Sequence, residues 1–334
     1  MPDPTTPLAT RRLGRSGLEV SAVGLGCWAI GGAMAAGDQP LGYSGTDDAE
    51  STAALHRAVE LGVTLLDTAD AYGAGHSERL LAPVLAAHPH VRVATKFGNT
   101  IDEQARQLTG TDVSPDYVRR AADASLGRLG RERLDLYQVH SPDMSGEQAA
   151  DLVEALEGLV EAGKVAWYGV STDDPELLRP FVSGPHCTAA QVQLNVFDAN
   201  PAMLEACRAD DLGVLVRSPL AMGLLGGRYD ATTQLPAHDV RGRQPEWLRW
   251  FADGRPAPDF LERLDAVRGV LTSGGRTLAQ GALAWIWAHD AGAVALPGFR
   301  SRAQVEENVG ALVTGPLSEA EHRAVEIALG RDGG

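Results

Sequence analysis

Short apolar runs alternate with helix-sized amphipathic segments along this chain of 334 residues. The runs are VSAVGLG (20–26), VTLLD (63–67), VRVAT (91–95), LDLYQV (134–139), VAWYGV (165–170), AAQVQL (189–194), LGVLV (212–216) and AVAL (293–296). The segments between them carry helix signals. Residues 146–162 place Leu152, Val153, Leu156, Leu159 and Val160 on one face, and Ser145 with Gln148 spells a capping box. Ser114-Pro115 opens 115–129 as an N-cap followed by proline at the first helical position. Segment 47–61 ends at Gly62, and Ser301 with Gln304 predicts a second capping box before 301–312.

Strict alternation implies a parallel sheet. Eight such units in a chain of this length predict one closed (β/α)8 TIM barrel rather than two open sheets. The expected domain is 8–330, with 1–7 and 331–334 as flexible termini. Residues 8–20 read as a short N-terminal hairpin turning at Arg15-Ser16-Gly17. Two long loops follow strands one and seven, 29–46 and 220–258. The second holds Trp247, Trp250 and Phe251, either a substrate-closing wall or the loop's own small core.

Charge excludes several functions. Twenty-nine basic residues against 44 acidic ones give a net charge of −15, which argues against a nucleic-acid or membrane partner. The three cysteines, Cys27, Cys187 and Cys207, lack metal-ligand or disulfide spacing. No run approaches the length of a membrane span, and the first residues have no apolar leader region. The expectation is a cytoplasmic, metal-free protein of unspecified oligomeric state. Only two of the basic residues are lysines, Lys96 and Lys164.

In a barrel, active sites form at the C-terminal ends of the strands. The second run ends in Asp67, the third in Lys96 and the fourth in His140. One such residue is more often a cap or a structural histidine. Three on adjacent strands of one face point to chemistry. The stretches LLDTADAYGAGHSE (65–78), ATKFG (94–98) and YQVH (137–140) resemble the aldo-keto reductase superfamily. The resemblance continues through LGRSGLEVSAVGLGCW (13–28), EAGKVAWYGVS (161–171), QVQLN (191–195), RSPLAMGLLGG (217–227) and LPGFRSRAQVEENVGAL (296–312).

The resemblance implies a four-residue site of Asp67, Tyr72, Lys96 and His140, and carbonyl reduction by hydride transfer from NADPH. Tyr72 would be the general acid, or the base in the oxidative direction. Lys96 would lower its pKa, Asp67 would hold Lys96 charged, and His140 would hydrogen-bond the carbonyl oxygen. Asp70 reads as a loop-structuring residue and Glu78 as an acid opening the next helix.

GLGCWA (24–29) matches a dinucleotide-binding pattern, but no helix opens after it, so a Rossmann reading is rejected. The resemblance makes Cys27 and Trp28 cofactor contacts instead, with Trp28 also walling the substrate pocket. Barrels bind phosphate at the loops after strands seven and eight. Ser218 and the amides around Leu220 and Gly223 suit pyrophosphate, and Gly298 and Arg300 sit beside a helix N-terminus. Gln304, Glu307 and Asn308 match the family's adenosine contacts. Arg300 suits a 2′-phosphate, favouring NADPH over NADH. Ser171 and Gln191 match the carboxamide contacts. Two departures stand out: Thr172 replaces a common asparagine, and Arg217 replaces an aromatic that stacks on the nicotinamide.

The substrate is expected to be an aldehyde, ketone or sugar-like carbonyl meeting Trp28, Tyr72 and His140. Two other readings remain open: a Schiff-base lyase using Lys96, and a non-catalytic NADPH-binding regulatory subunit.

Overall fold

The computed structural model describes residues 8–140, 144–243 and 245–331. Eight parallel strands form the sheet: β1 (Leu25–Gly26), β2 (Leu65–Asp67), β3 (Arg92–Phe97), β4 (Leu134–Val139), β5 (Val165–Ser171), β6 (Cys187–Gln193), β7 (Gly213–Arg217) and β8 (Val294–Ala295). Each strand pairs with its sequence neighbours. Bridges from Val23 to Ala295 and from Gly26 to Gly298 join the first strand to the eighth, so the sheet curls into a barrel. Gly26 permits this seam, because a Cβ there would lie 2.8 Å from the Leu296 carbonyl oxygen.

The helices are α1 (Asp48–Glu60), α2 (His76–Ala87), α3 (Pro115–Leu129), α4 (Gly146–Glu161), α5 (Pro175–Val182), α6 (Pro201–Ala209), α7 (Pro258–Leu271), α8 (Leu278–His289), α9 (Arg302–Thr314) and α10 (Glu319–Ala328). The capping box of α4 forms in full between Ser145 and Gln148. That of α9 forms by half. Ser301 accepts from the Gln304 amide, but Gln304 Oε1 reaches past it to the Arg300 N–H at 2.8 Å.

The run 20–26 does not act as one strand. Leu18–Ser21 pairs with Thr10–Leu13 as the expected hairpin, and the barrel strand starts only at Leu25. The hairpin plugs the floor of the barrel. Leu13 and Val20 pack with Leu65, Ala94, Leu136, Ala189, Leu215 and Val294 in a layer inside the strands. Residues 1–7 and 332–334 of the expected termini lie outside the described residues. Arg331, expected to be loose, is instead ion-paired to Glu326 at 2.7 Å.

Side chains on a strand alternate faces, so the interior layer fixes what lies above it. Two residues beyond Leu65 comes Asp67, and two beyond Ala94 comes Lys96. Leu136 leads to Gln138 and then His140, Ala189 to Gln191, and Leu215 to Arg217. The apolar plug and the polar mouth are thus one inward face read along each strand.

Candidate active site

Tyr72 reaches the mouth from a tight loop after β2. Its turns are held by Ala74 N–H to Ala71 O at 2.9 Å and Gly75 N–H to Asp70 O at 2.7 Å. Gly73 takes φ +62°, and a Cβ there would lie 2.0 Å from the Gly31 carbonyl oxygen. Only glycine lets the two loops approach this closely.

Beneath Tyr72, Lys96 is fully buried. Its Nζ donates to Asp67 Oδ2 at 2.7 Å, Thr68 O at 2.8 Å and Tyr72 Oη at 3.3 Å. An ammonium has three protons, and all three have acceptors here. Burial lowers the Lys96 pKa, but Asp67 and Tyr72 outweigh it and the net shift is upward. Asp67 Oδ1 accepts from Gln191 at 2.8 Å and Gln138 at 3.3 Å, so neither carboxylate oxygen lacks a partner. Gln138, not anticipated from the sequence, is therefore part of the support.

The expected lowering of the tyrosine pKa is reversed. Desolvation raises that of Tyr72, and Lys96 offsets this only in part. His140 meets Tyr72 edge-on, with ring centroids 6.0 Å apart. Burial, with Lys96 and Arg217 adding to it, pushes its pKa down to about 3, so the imidazole is neutral. A neutral imidazole and a protonated phenol at one point can donate hydrogen bonds to a single oxygen.

These groups face a cavity of about 660 Å³. It runs from Trp28, Tyr72 and His140 past Ser171, Gln191 and Arg217, along Ser218, Leu220 and Gly223, to Gly298, Arg300, Gln304, Glu307 and Asn308. Cys27 and Thr172 lie off its wall. Gly26 faces the cavity, so Cys27 points outward into the core, where burial raises its thiol pKa. Thr172 is buried, and its hydroxyl accepts from the Asp174 amide. Arg217 lines the cavity while paired with Asp173 and with Gln193 at 3.1 Å.

The far end is built for an extended anion. Ser218, Ala221 and Met222 all take positive φ in the loop after β7, backbone strain of the sort held at ligand sites. Arg300 donates to Ser44 O at 2.6 Å and fronts the N-terminus of α9. Gln304, its Oε1 occupied by the Arg300 amide, keeps its amide protons for the cavity. An elongated pocket with arginine and helix-terminal amides at one end fits a phosphate-bearing dinucleotide.

The two long loops meet over this cavity. Asp239 accepts from Ser44 N–H and Oγ–H, each at 3.1 Å, and Arg241 lies 4.7 Å from the Tyr43 ring. Trp247 stands 6.0 Å from Trp28 at the rim, whereas Phe251 is buried beneath Arg241. The loop supplies both an aromatic wall and a core of its own. Asp70 is buried in the turn beside Tyr72; its backbone carbonyl accepts from the Gly75 amide, but its Oδ1 is buried without a hydrogen-bond partner among the described residues. Glu78 lies in the first turn of α2, as expected, but is also buried, bonded to Thr95 at 2.6 Å and Arg128 at 2.6 Å.

A barrel with carboxylate, ammonium, phenol and imidazole converging at its mouth has the makings of an acid–base active site. The aldo/keto reductase family model matches residues 22–329, and the chain belongs to that family of oxidoreductases. Probable aldo-keto reductase 1 from Glycine max is 30% identical over 322 residues, covering 95% of this chain and 88% of that protein. The structure of a glycerol dehydrogenase from Gluconobacter oxydans superposes with a TM-score of 0.80 at 29% identity, covering 96% of this chain and 95% of that one. An aldo-keto reductase from Klebsiella pneumoniae, solved with NADP and acetate, gives 0.68 at 26% identity, covering 96% and 95%. No helix among the described residues is long and apolar enough to cross a membrane.

Proposed function

We propose that this protein is an NADPH-dependent carbonyl reductase in which Tyr72 is the general acid. The observation that carries the reading is the Lys96 ammonium set between Asp67 and the Tyr72 oxygen. Because Lys96 donates to that oxygen, the phenol's own proton is free to point into the cavity. NADPH, when bound, supplies the hydride. Arg300, Ser218 and the residues of α9 would hold its phosphates and adenosine, and Ser171 and Gln191 its nicotinamide end.

The chain's residues do the rest. His140 and Tyr72 orient the carbonyl oxygen, and Tyr72 gives up its proton as that oxygen becomes an alkoxide. Lys96 then stabilises the phenolate left behind. Asp67, fixed by Gln138 and Gln191, acts as a positioning residue for Lys96.

The lyase alternative needs a neutral, accessible amine. Lys96 is buried, its three protons are all engaged, and its pKa is raised. The regulatory alternative is separated from catalysis by experiment. Tyr72→Phe is expected to bind NADPH as wild type does while losing carbonyl-dependent NADPH oxidation. Equal turnover by that variant across a carbonyl panel would overturn the proposal.

A further inference from the structure

Between the reacting groups and the phosphate-binding end, the cavity wall carries a further charge. Arg217 ends β7 and lines the cavity with Ser171 and Gln191. Its guanidinium is held on two sides: one Nη donates to Gln193 Oε1 at 3.1 Å, and the other pairs with Asp173 Oδ2. Asp173 is itself anchored, its Oδ1 accepting from the Gln193 N–H at 2.7 Å and from Asn200 Nδ2 at 3.1 Å. A guanidinium keeps its charge at any working pH, so this is a fixed cation in a fixed place.

That charge is felt at the reaction centre. Burial dominates the pKa of both Tyr72 and His140, upward for the phenol and downward for the imidazole, and Arg217 pulls each of them downward in addition. Lys96, the other cation there, is matched by the buried Asp67 carboxylate. Arg217 is matched less completely, because it and Asp173 are 33% and 39% exposed and water shares in the pairing. A redox-active ring that serves a carbonyl held by Tyr72 and His140, on a molecule whose phosphates lie by Arg300 and α9, belongs on the wall between those ends. That stretch is Ser171, Gln191 and Arg217.

We infer that Arg217, with Asp173 as its counter-charge, is the residue by which this protein tells the reduced cofactor from the oxidised one. This rests on the reductase reading above. NADPH and NADP+ share their phosphates, riboses and adenine and differ by one hydride. The reduced nicotinamide ring is neutral, and the oxidised ring is a cation. A fixed guanidinium repels the second and not the first. Binding therefore favours NADPH, and oxidised cofactor leaves readily at the close of a reduction cycle. Asp173 and the water at the cavity mouth damp the repulsion, so its expected size is about tenfold in affinity, well below that of a bare buried charge.

The test is the ratio of two dissociation constants, Kd for NADP+ over Kd for NADPH, measured calorimetrically on the whole protein without substrate. Contacts to phosphate and adenosine cancel in this ratio. Wild type is expected to give about 10, falling toward unity as salt is added. Arg217→Gln should bring the ratio to about unity by tightening NADP+, and Arg217→Lys, which keeps a cation, should retain most of it. Asp173→Asn removes the counter-charge and should raise the ratio by about threefold or more. A merely structural role for Arg217 would weaken both forms alike and leave the ratio unmoved. A wild-type ratio at or below unity, or an unchanged ratio in Arg217→Gln, overturns the inference and leaves the reductase reading standing. Should Arg217→Gln fail to fold, Asp173→Asn decides alone, and an unchanged or smaller ratio there overturns it. If neither form of the cofactor binds wild type, the inference falls together with the reductase reading.

Discussion

Lys96 Nζ lies 2.7 Å from Asp67 Oδ2, and both side chains are buried. The other lysine, Lys164, is half-buried and pairs with Asp123 at the surface, a role arginine fills throughout the rest of this protein. At position 96 the cation must fit between a carboxylate, a carbonyl and a phenol. A guanidinium is wider and presents a planar fork. Lys96→Arg is therefore expected to lower kcat by about 10²–10⁴-fold, the range of general acid–base contributions. Lys96→Met would also leave the buried Asp67 charge uncompensated and cost about 3–5 kcal/mol of stability. Single-turnover NADPH oxidation, with thermal denaturation in parallel, separates the two effects. Wild-type turnover in Lys96→Arg would remove the lysine from the mechanism.

The pH dependence should follow Tyr72 and not His140. Reduction consumes the protonated phenol. Burial raises the Tyr72 pKa above its ordinary value of 10.0, so the acid form prevails throughout the neutral range. The reduction rate should be flat there and fall only in strong alkali. Oxidation of the alcohol needs the phenolate, so its rate should climb with pH over the same interval. His140 is held near 3 and stays neutral, so neither profile should show a step close to 6.5. A pH–rate profile in each direction tests this, and a neutral-pH step abolished in His140→Gln would contradict it.

The barrel was readable because eight apolar runs and their helix caps are local signals. Asp67, Lys96 and His140 were readable because each ends or closely follows a strand, whereas Tyr72 was implied only by the resemblance of the 65–78 stretch to a known family. Gln138 was within reach by the same logic: it shares the inward face with His140, two residues on. That parity also explains why Cys27, next to inward-facing Gly26, turns away from the cavity. The loop contacts were beyond reach. Ser44 and Asp239 are 195 residues apart, and Arg217 and Asp173 are 44 apart, with no periodicity linking them. The upward shift of Tyr72 was equally hidden, since a sequence shows the neighbouring ammonium but not the depth of burial that opposes it.

Arg300 should govern the choice of cofactor. Its guanidinium spends one described hydrogen bond, on Ser44 O, and keeps its remaining donors for an anion. A charge-assisted pair with a 2′-phosphate is worth about 1.5–3 kcal/mol. Arg300→Ala should weaken NADPH binding by about 10- to 100-fold. NADH, lacking that phosphate, should be affected far less. Dissociation constants for both cofactors, measured on wild type and variant by fluorescence titration, give the answer. An equal loss for the two would assign Arg300 to loop structure through Ser44 instead.

The Tyr72 loop is anchored from behind by the buried pair of Glu78 and Arg128. Thr95 Oγ–H and Arg128 Nε–H each approach the Glu78 carboxylate at 2.6 Å, joining α2 to β3 and α3. Burial lowers the Arg128 pKa, but Glu78, Asp70 and Glu103 outweigh it, so the cation is firmly charged. Removing it strands Glu78 beside Asp70, whose own carboxyl is driven upward by burial and by Glu78. Arg128→Met should destabilise the fold by about 3–5 kcal/mol, because one half of a buried pair is left unpaired. Glu78→Gln should cost less, since the amide still accepts from Thr95 and no longer repels Asp70. Adding Glu78→Gln to Arg128→Met should then recover part of the loss, with a coupling of about 0.5–3 kcal/mol. Urea unfolding of the four proteins measures this cycle. A strictly additive result would mean that Arg128 supports α3 through Glu103 and Ser125 rather than through Glu78.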